Sequence, residues 1–417
     1  MDKFVIQGPT PLQGTVSVHG AKNAVLPLMA AALLARGKSV IENVPDLRDV
    51  ATMVKMLEIL GAVTTYENGT LTVDTAHANN IEAPYDLVRT MRASIYVLAP
   101  TLAVHGRARV SMPGGCAWGP RPIDLHLMAM EKLGATIELS HGYIEARCDR
   151  LRGGQVVFPI SSVGATAQTV MAASLADGTS VIENSAMEPE ITDLIDALGV
   201  CGVTIEGRGT SRLVVHGTTS VKPLVHSVIP DRIEAETFAA AAAITGGDVT
   251  ITHCDPGHMG AVFAVLEACG SKIEIGNRTA RVVGPKRLAA TDVVTREYPG
   301  FPTDMQAQIM SVLCTAEGVS TVKETIYPDR FTHVPELRRF GADIRLDGNL
   351  AVIRGVPKLG GAPVMATDIR ASSGLILAAM AAEGRTEILR VYHIDRGYQR
   401  IESKLNALGA RIERVVQ

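Results

Sequence analysis

Gly37-Lys38-Ser39-Val40-Ile41-Glu42-Asn43 and Gly178-Thr179-Ser180-Val181-Ile182-Glu183-Asn184 are two close copies of one heptapeptide. Their surroundings repeat as well: a Gly-led β run, a loop, an amphipathic helix, and a Leu-Gly-Ala-like turn into another β run. Six such units follow one another along the chain. The leading glycines are Gly37, Gly106, Gly178, Gly247, Gly318 and Gly384, and the closing ones are Gly61, Gly134, Gly202, Gly270, Gly341 and Gly409. A helix that ends in the left-handed region favours glycine, which accounts for the closing residue.

A second helix, rich in Ala, Leu and Met, is expected just before each leading glycine: 23–36, 92–105, 165–177, 234–246, 303–317 and 370–383. Residues Ala235 to Thr245 are apolar on nearly every side, the signature of a helix buried within a domain. Short β runs such as Leu213-Val214-Val215 and Leu350-Ala351-Val352-Ile353 precede these helices. One unit therefore reads as β, β, buried helix, β, surface helix, β, and the fold class as α/β with six repeats of a βαβαββ-type unit.

The ends of the chain set the expected domain organisation. Residues 1–21 read as the paired β runs that follow a closing turn, and the unit opened at Gly409 lacks them. Joining 409–417 to 1–21 gives three units in 22–229 and three in 230–417 plus 1–21. Crossings then fall near Ala21–Lys22 and Ile229–Pro230, and the cleft between the two lobes is the expected ligand site.

Composition narrows the class of function. With 417 residues, 47% of them hydrophobic, the chain can bury more than one core. Its 40 basic and 43 acidic residues are well mixed, so no basic face points to nucleic acid. No apolar run reaches the roughly 18 residues of a membrane span and no signal-peptide pattern opens the chain, so the cytoplasm is the expected compartment. Six scattered cysteines without a C-x-x-C pair argue against a zinc knuckle and a disulfide framework. His253-Cys254-Asp255-Pro256-Gly257-His258 lacks a third or fourth placed ligand, so no metal is expected. No Walker A or post-strand G-x-G-x-x-G pattern indicates ATP or NAD.

Function is expected where the copies differ. The buried helices begin at polar clusters: Lys22-Asn23, Arg89 and Arg92, Ser161-Ser162-Val163-Gly164, Asp231 to Glu234, Thr303-Asp304, and Thr367-Asp368-Ile369-Arg370. Free N–H groups and the helix dipole make such ends anion sites, with ordinary N-capping as the alternative. Lys22, Arg92 and Arg370 oppose the dipole, which favours a polyanionic ligand over a purely structural account. Leading and closing glycines are 24, 28, 24, 23, 23 and 25 residues apart, so the second unit carries about four extra. They fall in Met112-Pro113-Gly114-Gly115-Cys116-Ala117-Trp118-Gly119-Pro120-Arg121-Pro122, a long loop that sets a thiol among glycines and near Arg121. A thiol near cations is a candidate nucleophile or acid.

Taken together these segments resemble the enolpyruvyl transferases, in particular the branch that acts on UDP-N-acetylglucosamine. The resemblance runs end to end. It rests on Gly20-Ala21-Lys22-Asn23-Ala24, Pro113-Gly114-Gly115-Cys116, Arg121-Pro122-Ile123-Asp124, Ser162-Val163-Gly164-Ala165-Thr166, Phe301 to Gln308, Ala366 to Ser372 and His393 to Tyr398. It implies a two-domain inside-out α/β barrel with three repeats per domain, acting on phosphoenolpyruvate and UDP-N-acetylglucosamine with no metal and no cofactor. It further implies that Lys22, Arg121 and Arg396 hold phosphoenolpyruvate, with Asn23 beside Lys22 and with Arg330 and Arg370 also in the charged cleft. Cys116 corresponds to the thiol that protonates the methylene carbon, and Asp304 to the carboxylate that takes the proton of the sugar 3-hydroxyl. Arg92, Pro122, Ile123, Asp124, Leu125, Ser162, Val163, Gly164 and Ile326 fall where the nucleotide sugar is held. Ile160 stands where some members have Lys, and Trp118 is unusual in the loop. The sister branch acting on shikimate 3-phosphate has Ser-Lys-Ser where this chain has Ala-Lys-Asn, and a non-catalytic scaffold would not need the thiol, the carboxylate and the cations together.

Overall fold

The computed structural model describes residues 2–112 and 123–416, so Cys116, Trp118, Arg121 and Pro122 lie outside the described residues. The chain divides into two compact units: a terminal unit of residues 1–19 and 230–417, and a central unit of residues 20–229. Each has its own apolar core.

Among the described residues six four-stranded sheets form, three in each unit, and all share one pattern. In the central unit Lys38–Glu42 pairs antiparallel with Thr70–Asp74, which carries Val63–Glu67 on its other side. Val225–Ser227 completes this sheet as a parallel edge strand. Alternation fixes the face: Ser39 and Ile41 are fully buried while Lys38 and Glu42 are exposed, as in a sheet with one face on the core. The copies Thr179–Glu183 and Val319–Lys323 bury Ser180 and Ile182, and Ser320 and Val322, in the same register.

The parallel edge strands tie the repeats into rings. Glu82–Ala83, which follows the first hairpin, joins the sheet of Arg107–Ser111. Gln155–Val157 likewise joins Thr179–Glu183, and Val225–Ser227 returns to the first sheet. In the terminal unit Gln13–Ser17 joins Asp248–Thr252, Val293–Val294 joins Val319–Lys323, and Pro363–Met365 joins Gly384–Leu389. That last sheet is completed by Lys3–Gly8, which lies between Gly384–Leu389 and Ile412–Val415. The two N-terminal β runs therefore do not pair with each other. They serve different sheets, because each repeat passes its last strand to the next repeat of the same ring.

Inside each ring lie the apolar helices: Lys22–Ala31, Leu98–His105 and Val163–Ser174 in the central unit, and Arg232–Thr245, Gln306–Leu313 and Ile369–Ala381 in the terminal one. Small residues let them approach closely. A Cβ on Gly374 would sit 2.8 Å from the Ala307 carbonyl, and Ser311 Oγ donates to the Gly374 carbonyl at 2.8 Å. The helix expected over 92–105 is divided into a 3-10 stretch, Arg92–Val97, and the α-helix Leu98–His105. Pro100 coincides with the break, since it cannot donate to the Tyr96 carbonyl, although Pro27 lies inside Lys22–Ala31 without dividing it. All six closing glycines have φ between +89° and +98°. Among the described residues no helix is long and apolar enough to cross a membrane.

Candidate active site

In the terminal unit the site centres on Asp304, carried by the 3-10 turn Thr303–Met305 that leads into Gln306–Leu313. Its carboxylate Oδ1 meets Arg330 Nη2 at 2.8 Å and Oδ2 meets Arg370 Nη2 at 2.7 Å. Both guanidiniums are buried, whereas a quarter of the Asp304 side chain, 25%, stays accessible. Burial alone would raise the Asp304 pKa, but the charges of Arg370 and Arg330 outweigh it and hold the carboxyl well below its ordinary range. Burial opposes the charge on Arg370 in turn, and the Asp304 carboxylate, with Tyr398 and Asp231, more than offsets it.

Arg370 sits in the first turn of Ile369–Ala381, where a cation opposes the dipole. Asp368 caps the same end, its Oδ1 accepting the Arg370 and Ala371 amides at 2.8 and 3.1 Å. Asp304 and Asp231 offset the charge on Arg370, while Asp368 satisfies the amides of the helix end. Arg396 is half-buried at the end of the turn Val391–Arg396. Its neighbour Asp395 anchors the turn through two bonds to Arg414, at 3.0 and 2.7 Å. Gly397 lets the turn close on the Arg370 helix, since a Cβ there would lie 2.6 Å from Ile369 Cγ2. Tyr398 Oη then meets Arg370 Nη1 at 3.4 Å and Thr237 Oγ1 at 2.8 Å. Asp304, Arg330, Arg370 and the turn of Arg396 thus form one connected assembly, with the partly exposed Ile326 on the segment before Arg330.

In the central unit Lys22 is the first residue of Lys22–Ala31, and its Nζ lies 2.7 Å from Asp49 Oδ2. Both side chains are buried, and Asp49 occupies the first turn of Arg48–Ile59, where an acid suits the dipole. Asn23 is half-buried beside Lys22. Ser162 caps Val163–Ser174, its Oγ accepting the Ala165 amide at 3.3 Å, so capping accounts for part of its presence. Ile160, just before it, is 60% exposed. Asp124 is exposed at the start of Asp124–Lys132, with Ile123 half-buried before it and Leu125 buried after it.

Nothing in the sequence pattern marks His126, yet the structure places it between these segments. Gln168 Nε2 bonds His126 Nδ1 at 3.1 Å and the Ile95 carbonyl at 2.8 Å, while Gln168 Oε1 accepts the Ala99 amide at 3.1 Å. With Nδ1 accepting, the ring proton belongs on Nε2. Burial first, and then the charge of Arg92, lowers the His126 pKa to about 4, so the ring is neutral. Gly164 is needed beside it, because a Cβ would lie 2.9 Å from His126 Cε1. Arg92, half-buried, and Gly164 therefore both lie near one imidazole. In the terminal unit His253 meets Ser17 Oγ at 3.0 Å, and Cys254 is buried with its thiol on the Ile251 carbonyl.

The sequence profile of the EPSP synthase (3-phosphoshikimate 1-carboxyvinyltransferase) family matches residues 6–405 of this chain. A UDP-N-acetylglucosamine 1-carboxyvinyltransferase of Geobacter metallireducens is 54% identical over 415 residues, covering 100% of both chains. The enzyme of that name from Trichlorobacter lovleyi is 53% identical, with 100% of this chain and 99% of its own covered. Among solved structures, the enolpyruvyl transferase NikO from Streptomyces tendae superposes with a TM-score of 0.88 at 26% identity, covering 100% and 99% of the two chains. EPSP synthase from Acinetobacter baumannii shares the fold, with a TM-score of 0.78 at 17% identity and full coverage of both chains.

Proposed function

This chain belongs to the enolpyruvyl transferase family, and we propose that it moves the enolpyruvyl group of phosphoenolpyruvate to the 3-hydroxyl of UDP-N-acetylglucosamine, releasing phosphate, as the first committed step of peptidoglycan synthesis. The observation that carries the mechanism is Asp304: an accessible carboxylate held between two buried guanidiniums.

Addition forms a bond from the sugar O3 to C2 of phosphoenolpyruvate while C3 gains a proton. Asp304 takes the hydroxyl proton and Cys116 supplies the one at C3. Elimination breaks the bond from C2 to the phosphate oxygen and removes a proton from C3, restoring the alkene. Lys22, Arg121 and Arg396 hold the phosphate and carboxylate, with Asn23, Arg330 and Arg370 nearby; paired guanidinium contacts suit both anions. As substrate anions draw Arg330 and Arg370 toward themselves, Asp304 loses part of what keeps it acidic and becomes a better base. Arg92, Pro122, Ile123, Asp124, Leu125, Ser162, Val163, Gly164 and Ile326 hold the nucleotide sugar, and the cytoplasm is the compartment this reading assigns to the reaction.

The family profile is described by an enzyme of 3-phosphoshikimate, but the relatives at 51–54% identity carry the nucleotide-sugar name, which favours that acceptor. Phosphate release from phosphoenolpyruvate, with each acceptor offered separately, tests the choice. Release with UDP-N-acetylglucosamine alone is expected, and release only with shikimate 3-phosphate refutes the proposed acceptor.

A further inference from the structure

Glu324 follows Val319–Lys323 and stands six residues after the leading glycine of its repeat. The same position in the other repeats holds Asn43, Met112, Asn184, His253 and Arg390. Asn43 and Asn184 do a local job there: with φ of +56° each, they donate to the Val228 and Phe158 carbonyls and secure the neighbouring edge strand. A neutral residue thus suffices for the fold.

Glu324 is different in charge and in reach. It is fully buried, and among the described residues its four partners are two hydroxyls and two backbone amides. Oε1 accepts Thr295 Oγ1 at 2.7 Å and the amides of Ile326 and Tyr327 at 2.9 Å each. Oε2 accepts Thr303 Oγ1 at 2.8 Å. Its own backbone is held by Asn349, at 2.9 Å to the amide and 2.8 Å to the carbonyl. Burying a carboxylate among neutral donors is costly, so a purely structural role would favour a neutral residue such as Asn43 or Asn184 of the sibling repeats.

The Thr303 contact shows where the charge leads. Because the hydroxyl donates to Glu324, its lone pairs are free to accept Arg330 Nη1, 3.0 Å away. Arg330 Nη2 then reaches Asp304, the residue next to Thr303. The chain of bonds runs Glu324, Thr303, Arg330, Asp304, and the Ile326 and Tyr327 amides fix the segment on which Arg330 is carried. We propose that Glu324, acting through Thr303, is the positioning residue of the Asp304 clamp: it orients the Arg330 guanidinium and thereby sets how tightly Asp304 is held. This rests on the reading of Asp304 as the base of enolpyruvyl transfer.

The test compares the full chain with Thr303→Val, Thr303→Ser and Glu324→Gln, reading kcat, KM, the pH–rate profile and the melting temperature. Thr303→Val keeps the shape and removes the hydroxyl. It is expected to lower kcat roughly ten- to a hundred-fold, as a misplaced guanidinium would, and to move the acid limb of kcat/KM to higher pH. Thr303→Ser restores both, and Glu324→Gln resembles Thr303→Val. A Val variant with unchanged kcat and acid limb, or a Ser variant as impaired as Val, overturns the proposal. A carbon-13 titration of the Asp304 carboxyl gives a readout independent of turnover. An upward shift in Thr303→Val and Glu324→Gln but not in Thr303→Ser supports the link even if neither acceptor releases phosphate and the functional reading falls. The same titration in all four proteins overturns the link even if the enzyme is active.

Discussion

Replacing Asp304 with Asn separates its two jobs, because the structure assigns opposite signs to the effects on binding and on turnover. Asn keeps the shape and one acceptor oxygen but removes the charge that Arg330 and Arg370 share at 2.8 and 2.7 Å. With charge centres about 4 Å apart and an effective dielectric of about 20, each pair is worth about 4 kcal/mol of Coulomb energy before desolvation. Removing one side of a buried pair costs about 3–5 kcal/mol. Water reaches a quarter of this carboxylate, so the lower end, about 3 kcal/mol, applies here. For a unit of this size that lowers the melting transition by roughly 6–12 °C. The folded pKa of Asp304 is depressed, so its stabilisation is complete above the unfolded value and is lost as pH falls through the folded one. The gap between the two proteins should therefore be full at neutral pH and close on acidification. Meanwhile two guanidiniums become available to an anion: phosphoenolpyruvate should bind at least as tightly, while turnover falls by about 10²–10⁴. Calorimetric melting against pH, equilibrium titration with phosphoenolpyruvate, and steady-state turnover read the three effects. Weaker phosphoenolpyruvate binding together with near-normal kcat would refute the reasoning.

Lys404→Met strands the buried Glu234, whose Oε1 it meets at 2.5 Å; stability should drop by about 3–5 kcal/mol in urea unfolding and recover when Glu234→Leu is added. The His226 ring meets Asp193 at 2.7 Å, and that hydrogen bond raises its pKa from 6.5, so its stabilisation is present below that value and lost as pH rises through the folded one. The stability difference from His226→Gln should shrink accordingly as pH rises. Gly202→Ala has nothing within 4 Å to meet but must keep φ at +95°, costing about 1–2 kcal/mol in thermal melts with turnover untouched. Cys116→Ser should block labelling by an epoxide phosphonate such as fosfomycin; continued labelling, mapped by peptide mass spectrometry, would point to another thiol.

The repeat was legible because each copy depends on local rules: glycine where the backbone turns left-handed, alternation where one sheet face is buried, and nearly continuous apolar residues where a helix is enclosed. The same rules brought out Lys22, Asp304 and Arg370 as polar breaks at helix starts. Pairing across long separations was not legible. That Lys22 takes Asp49, that Gln168 orders His126, and that Glu324 reaches Arg330 through Thr303 depends on which helix ends the sheets bring together, and no period encodes it. The N-terminal strands read as a pair in the sequence for the same reason, since handing a strand to the next sheet leaves no mark in either strand.

Proton NMR of the reaction in deuterated water tests the central claim, addition and elimination at the sugar 3-hydroxyl, most directly. Phosphoenolpyruvate and UDP-N-acetylglucosamine should yield an enolpyruvyl ether at O3 whose methylene carbon carries solvent deuterium, because C3 becomes a methyl group in the intermediate. An ether at another oxygen, no ether at all, or a methylene group free of deuterium would contradict the account.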